Sequence, residues 1–456
     1  MNHTYQESLN TLESLIDYEK SRPSAYTENE YDINGFKRLM VTLGDPQNQF
    51  PSIHIAGTKG KGSTSTLIET LLQISGYRTG LYTSPHIFDY VERIKVNKVP
   101  IPEELFARYF FYLIELNNRL RPFAPKLFRT VFELLTAMGF LYFKDSNVDV
   151  AVVEVGLGGR LDCTNILSPL ISVITSLGLD HTAILGKTLS SIAREKGGII
   201  KQGIPVVVSN QTDYAKRKAI PILKEIAKDR NANLIFAEKE FIILSTKTEG
   251  KLQKIFFKSK DGEEFSLSID LLGDHQALNL QTALATLKGL KETGLKIEFD
   301  KFMDSTIECH LPGRVEILSE KPIVIFDGAH CPLSVRALCK TIEKIFPGRS
   351  RLYLFGILQD KNAREMLRVL NRYTPGEKRI IVFSPPSKRA FDPYKLGKIA
   401  EKYFKVEGVF QSAEDAIAFG FKKLKNSEEM LVALGSIYSL APLKNAFPGA
   451  MQSFYL

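Results

Sequence analysis

Eight residues of this chain, "GTKGKGST" (57–64), carry the side chains of a phosphate site. Gly57, Gly60 and Gly62 let backbone N–H groups converge without Cβ obstruction. Thr58 and Lys59 complete the loop, Lys61 can reach phosphate oxygens, and the hydroxyls of Ser63 and Thr64 can face a phosphate or a magnesium ion. A helix starting near Ser63 would add the positive end of its dipole. The usual spacing, G-x-x-x-x-G-K-[ST], is not met, because here the lysine precedes the last glycine. A plain strand-to-helix turn containing Gly and Lys is the other reading of the loop alone.

Further on, "VEVGLGGRLDCTN" (153–165) puts Glu154 at the carboxyl end of an expected strand, where α/β proteins hold ligands. "LGLDHTAILGKTLSSIAREKGGIIK" (177–201) supplies Asp180, His181, Glu195 and Lys196. Each also has a structural reading: Glu154 as a cap or ion-pair member, His181 as a helix-start residue, Lys196 as a solvated helix residue. Magnesium prefers oxygen ligands, so His181 would be an unusual partner for it.

The elements that must position these residues are short β-branched runs alternating with helical patterns. Residues 51–57, 148–156, 170–177 and 204–209 read as buried parallel strands, with helices at 63–76 and 128–144 between them. A second series, 322–328, 351–356, 379–386 and 430–436, predicts a smaller α/β domain, and 235–270 reads as β-hairpin material. The expected architecture is α/β: an ATPase-like domain over 1–308 with a mainly parallel sheet, a Rossmann-like domain over 309–456, and a cleft between them.

A chain of 456 residues suits two domains, and 44% hydrophobic with 24% charged residues is an ordinary globular composition. The net charge of +9 is dispersed and comes with no nucleic-acid-binding motif. Four scattered cysteines form no zinc-like spacing and favour a reducing compartment. No signal-peptide pattern opens the sequence, and the longest uncharged apolar run, 166–179, is shorter than the ~20 residues a membrane span needs. These features predict a cytoplasmic protein with no nucleic-acid or membrane partner and, by default, a monomer.

Taken in order, the motifs resemble the folylpolyglutamate synthase/dihydrofolate synthase family of the Mur ligase superfamily. "GTKGKGST" is similar to that family's GTNGKGS loop, which accounts for the lysine position. "YTSPHIFDYVERIKVN" (82–97), "TVFELLTAMGF" (130–140), "VEVGLGGRLDCTN" and "LDHTAILGKTLSSIAREKGGI" (179–199) follow. "HQALNLQTALA" (275–285), "LPGRVEIL" (311–318), "FDGAHCP" (326–332) and "SPPSKRA" (384–390) complete the series. The resemblance runs from about residue 33 to 440.

It implies an ATP-dependent ligase that phosphorylates the carboxylate of dihydropteroate or of a folate's terminal glutamate. An incoming L-glutamate amine then attacks the acyl phosphate. It implies a triphosphate held by Gly60, Lys61, Gly62 and Ser63, and magnesium (two ions) at Ser84, Glu154, His181 and Lys196, with Lys196 carbamylated. Asn279, Arg314 and Asp327 match ATP-contacting positions, and His330 is the candidate phosphate or glutamate contact. Thr130, Phe132, Glu133, Leu161, Asp162 and Cys163 are the pterin-site candidates. Activation by a monovalent cation such as K⁺ is a further family expectation.

Four positions depart from the family pattern: Lys59 for Asn, Cys163 for Ala, Gly197 for Ala and Cys331 for Asn. The alternatives left open are folate extension without the dihydropteroate reaction, a cell-wall Mur ligase, and a nucleotide-binding protein without turnover.

Overall fold

The β-branched runs form the centres of two parallel sheets in a computed structural model that describes residues 3–17, 26–27, 30–120 and 130–455. The first sheet has eight strands: β1 (Ser52–Ala56), β2 (Thr79–Tyr82), β3 (Ile94–Val96), β4 (Val99–Pro100), β5 (Val150–Glu154), β6 (Ile171–Ile174), β7 (Val206–Val208) and β8 (Leu234–Phe236), in the order β4-β3-β2-β5-β1-β6-β7-β8. All pairings are parallel except those of the β2–β3–β4 edge. Every residue of β1, β2, β5, β6 and β7 is buried, as a sheet covered by helices on both faces requires.

β1 lies between β5 and β6, with Ile55 opposite Glu154 and Ala56 opposite Ile174. The chain winds to one side of β1 and later to the other, so the loop leaving β1 opens at a topological switch point. Open α/β sheets bind their ligands at such points.

Five helices matter for the site: α1 (Lys61–Ile74), α2 (Val131–Asp145), α3 (Leu189–Gly197), α4 (Asp274–Glu292) and α5 (Pro332–Ile345). α1 starts two residues earlier than the sequence suggests. Gly60 takes a left-handed φ of 85° as its N-cap, which brings Lys61 and Gly62 into the first turn. α2 is fixed by a capping box, in which Thr130 and Glu133 satisfy each other's backbone N–H groups. Behind it Phe36, Phe106, Phe110, Phe140 and Phe143 form a fully buried aromatic core. Burying one such side chain is worth about 1.5–3 kcal/mol, which is what holds α2 against the sheet.

The expected hairpin material forms β9 (Phe241–Glu249), β10 (Leu252–Ser259) and β11 (Glu264–Ile269), joined by β12 (Thr306–Ile307) in a four-stranded sheet. The third sheet comprises β13 (Glu316–Glu320), β14 (Ile323–Phe326), β15 (Arg351–Phe355), β16 (Arg379–Phe383), β17 (Lys405–Phe410) and β18 (Met430–Leu434), in the order β13-β14-β18-β15-β16-β17. It is parallel except for the β13–β14 hairpin.

The chain divides into two compact units. The first runs to Thr246 and includes Ile255–Ser268 and Gln276–Cys309; the second holds Lys247–Lys254, Ile269–His275 and everything from His310 onward. Among the described residues no helix is long and apolar enough to cross a membrane.

Candidate active site

The loop between β1 and α1 is tied down along its length. Thr58 N–H and Lys59 N–H both donate to Ser176 O, at 2.9 and 3.1 Å. The Thr58 hydroxyl donates to Gly178 O and accepts from Gly178 N–H, both at 3.2 Å. Gly57 admits no side chain, since a Cβ there would sit 1.8 Å from Thr175 Oγ1. Gly60 is equally confined, because its Cβ would lie 2.4 Å from Asn279 Oδ1. Asn279 on α4 therefore abuts the turn that starts α1. The first N–H groups of α1 are the donors that every helix start leaves without intrahelical partners.

Lys61 and Glu154 meet across this opening. Lys61 Nζ lies 3.6 Å from Glu154 Oε1, with the carboxylate buried at the end of β5. The second oxygen, Oε2, accepts the Ser84 N–H at 3.3 Å and stands 3.5 Å from where a Cβ on Gly62 would be. Beside them, Lys59 Nζ donates to Asp180 Oδ2 at 2.8 Å, and Asp180 Oδ1 accepts the His181 N–H at 2.9 Å. His181 itself adopts a left-handed φ of 50° at the start of the one-turn helix Thr182–Leu185. Ser63 and Thr64 are buried in the first turn of α1.

Lys196 is no solvated helix residue: it is 5% exposed on α3. Burial, reinforced by the neighbouring charge of Lys61, pulls its ammonium down from an ordinary 10.5 to about 7, while Asp180 pulls the other way. The structure thus gathers Lys61, Glu154, Ser84, Lys59, Asp180, His181 and Lys196 around the carboxyl ends of β1, β5 and β6.

In the second unit the residues following β14 form their own turn. Asp327 accepts Val315 N–H at 2.8 Å and Ala329 N–H at 2.7 Å, one on each oxygen. Arg314 donates from Nη1 to Gly313 O at 2.9 Å, and a Cβ on Gly328 would lie 2.8 Å from that same Nη1. His330 Nδ1 lies 2.9 Å from Gly328 O. Val315 holds a φ of 52°, a position that a β-branched residue adopts only when its surroundings enforce it.

Comparison with known proteins identifies the two halves of the chain. Residues 123–287 match the Mur ligase middle domain and residues 313–437 the Mur ligase glutamate ligase domain. The dihydrofolate synthase/folylpolyglutamate synthase of Bacillus subtilis is 32% identical over 420 residues, which cover 90% of this chain and 94% of that protein. The chain belongs to the folylpolyglutamate synthase/dihydrofolate synthase family. The Mycobacterium tuberculosis folylpolyglutamate synthase complexed with ADP superposes with a TM-score of 0.84 at 29% identity, covering 97% of this chain and 99% of that one. A folylpolyglutamate synthase complex with AMPPCP and folate gives 0.80 at 28%, covering 98% and 100%. As a member of this family the chain is an ATP-dependent ligase of the Mur ligase superfamily.

The residues expected at a pterin site lie at the start of α2 and in the loop that follows β5. A Cβ on Gly156 would come within 2.5 Å of the Phe132 ring, and Phe132 stacks edge-on to Tyr82 at 5.9 Å. Cys163 Sγ lies 3.3 Å from Thr136 Oγ1, one turn further along α2. Leu161 is buried. Thr130 and Glu133 spend hydrogen bonds on the cap of α2, with Thr130 N–H donating to Glu133 Oε2 at 3.0 Å. Asp162 folds the loop: Oδ2 accepts Leu157 N–H at 3.0 Å, and Oδ1 accepts the Thr164 N–H at 3.0 Å and hydroxyl at 2.5 Å. Behind it, His54 Nε2 lies 2.8 Å from Thr164 Oγ1, its imidazole held neutral by burial with a pKa of about 3.

Three departures from the family pattern have local explanations. At Gly197 a Cβ would meet Ile226 Cδ1 at 2.6 Å, so apolar side chains fill the room an alanine would take. At Cys331 the Ser334 hydroxyl accepts both the His330 and Cys331 N–H groups, at 3.2 and 3.1 Å, and holds the turn without an amide side chain. Lys59 is absorbed by Asp180. Their side chains are 27% and 15% exposed, and partly exposed pairs are worth about 1 kcal/mol or less. Lys59→Asn is therefore expected to raise the KM for ATP by at most about fivefold, measured as steady-state phosphate release at fixed ionic strength.

A magnesium ion fits the donor set in one specific sense. Among the described residues no three His, Cys, Asp or Glu side chains form a ready cage. Magnesium binds through one or two carboxylates, waters and substrate phosphates rather than through an all-protein cage, and buried Glu154 beside Ser84 offers that kind of site.

Asp327→Asn is expected to cost about 1–3 kcal/mol in urea unfolding, because an amide cannot accept both backbone N–H groups. Burial raises the Asp327 pKa from 3.8 to about 6 against the pull of Arg314. A raised carboxyl pKa adds stability that is complete below 3.8 and lost as pH rises through 6. That pH dependence should vanish in the variant, measured as unfolding free energy between those limits.

Proposed function

We propose that the chain joins L-glutamate to folate carboxylates with ATP, accepting both dihydropteroate and the γ-carboxylate of folate glutamates. The observation that carries this reading is Lys61 at the first turn of α1, 3.6 Å from the buried Glu154 at the end of β5. Its relatives support the substrate class: the Bacillus subtilis protein is named for both reactions, and one solved neighbour holds AMPPCP with folate.

The N–H groups at the start of α1 and the Lys61 ammonium bind the triphosphate and draw charge from the γ-phosphoryl group as it transfers to the acceptor carboxylate. Glu154 orients Lys61. Magnesium, held by Ser84, Glu154, His181 and Lys196, would neutralise phosphate charge when bound. Arg314, Asp327 and Asn279 serve ATP, and His330 a phosphate or the incoming glutamate. Phe132 and the 156–163 loop face the pterin. In the second step the glutamate amine attacks the acyl carbon, forming the amide and releasing phosphate.

Lys196 is read as a carbamate. A neutral amine is what attacks CO₂, losing one proton as the N–C bond forms, and a pKa near 7 keeps much of this amine neutral at physiological pH. The product replaces a cation with oxygen donors, which suits a hard metal.

The deciding assay is phosphate release with ATP and L-glutamate, comparing dihydropteroate, tetrahydrofolate and a UDP-muramoyl peptide. Release with both pteridines supports the two-reaction reading. Release with tetrahydrofolate alone leaves an extension-only enzyme, and release with the muramoyl peptide alone overturns the folate reading.

A further inference from the structure

We infer that Tyr26 is a positioning residue for the acceptor, setting the 157–161 backbone through a single phenol. Its hydroxyl accepts the Leu161 N–H at 3.1 Å and the Gly159 N–H at 3.3 Å, and donates to Leu157 O at 3.2 Å. One atom thus satisfies three backbone groups of a five-residue loop. Gly158, at φ 70°, is what lets it approach: a Cβ there would lie 2.3 Å from the Tyr26 hydroxyl oxygen. The Tyr31 ring, 4.7 Å away, backs the phenol. Burial raises the Tyr26 pKa far above the ordinary phenol value, so the proton given to Leu157 O stays in place.

The loop's other ties run to α3 and to the residues that follow it. Arg160 N–H donates to Glu195 O at 2.8 Å, and its guanidinium pairs with the Glu195 carboxylate at 3.0 and 3.2 Å. Asn165 Nδ2 donates to Arg160 O at 3.0 Å, Leu157 N–H donates to Asp162, and Asp162 N–H donates to Gly159 O at 3.2 Å. Yet the loop begins at Gly156, against Phe132, and ends at Leu161, Asp162 and Cys163. The phosphate loop depends on other partners: its hydrogen bonds run to Ser176, Gly178 and Asp180, with Asn279 packed against Gly60. Losing the phenol should therefore disturb the acceptor wall and spare the nucleotide side. This inference rests on the proposed reading of residues 156–163 as the pterin wall.

Tyr26→Phe removes the hydroxyl and keeps the ring. Loss of the three hydrogen bonds is expected to lower kcat/KM for tetrahydrofolate by ~10–100-fold, with the KM for ATP unchanged within about twofold. Hydrogen exchange at the Gly159 and Leu161 amides should accelerate in the variant. Gly158→Ala tests the contact from the loop's side, and in a Tyr26→Phe background it should cost less than in the wild type. Equal rises in both KM values, unchanged acceptor kinetics despite faster exchange, or strict additivity of the two substitutions would each overturn the inference. A wild-type enzyme that turns over no folate would instead overturn the substrate reading, and the exchange and stability measurements on Tyr26→Phe would still report whether the phenol orders the loop.

Discussion

Lys61→Ala is expected to lower kcat by a factor of ~10²–10⁴, the range seen when a preorganised charge aimed at a transferring phosphoryl group is removed. The ammonium is held on the first turn of α1 and faces Glu154 at 3.6 Å. Its charge is needed most when the γ-phosphoryl group is between oxygens, which places the loss in kcat more than in nucleotide affinity. ADP affinity, measured by calorimetry, should fall by no more than about tenfold, because the backbone donors of the loop remain. Lys61→Arg keeps the charge but presents a planar fork in place of a point charge, so it should recover only part of the activity. Turnover of Lys61→Ala within a few-fold of wild type would remove Lys61 from the chemistry.

Lys196→Ala carries the second large expectation, a ~10²–10³-fold loss of phosphate release. If the functional group is a carbamate, a small carboxylate such as acetate can enter the vacated space and restore part of the rate. The wild-type enzyme should also slow in CO₂-depleted buffer and recover on addition of bicarbonate. No response to acetate in the variant and none to bicarbonate in the wild type would leave Lys196 acting as an ammonium.

The free amine also has a signature in stability. A folded pKa of about 7 against an ordinary 10.5 makes its contribution complete above 10.5 and lost as pH falls through 7. The associated slope is about 1.4 kcal/mol per pH unit, and it should be absent from Lys196→Ala. Urea unfolding in CO₂-free buffer between pH 7 and 9 reads it directly.

The two large effects come from residues with unequal visibility in the sequence. Lys61 stands in a glycine-rich stretch between an apolar run and a helical pattern, and that local arrangement is enough to suggest phosphate. Lys196 looks like any lysine in a polar helix, since the sequence "IAREKGG" does not say which side faces the sheet. The carboxyl end of α3 meets the loop around Arg160, whose N–H donates to Glu195 O and whose Cα would lie 2.5 Å from a Cβ on Gly198. Those residues are some 35 positions away along the chain.

Central strands such as β1, β5 and β18 were legible because burial on both faces writes an unbroken apolar run. The edge strands β3 and β4 and the half-buried β17, with Glu407 and Gly408 inside it, carry no such run.

By itself, then, the sequence determined the α/β class, the glycine-rich loop between a strand and a helix, and the strand-end position of Glu154, because each follows from contacts between near neighbours in the chain. Through the order of its motifs it also determined the family. Only the tertiary structure decided that α1 begins at Lys61, that Asp180 holds Lys59 and that Lys196 is buried. It alone showed that Tyr26 pins a loop 131 to 135 residues away. The physical reason is common to all four. A side chain's charge state and partners are set by what is packed around it, and those neighbours come from parts of the chain that no local pattern connects.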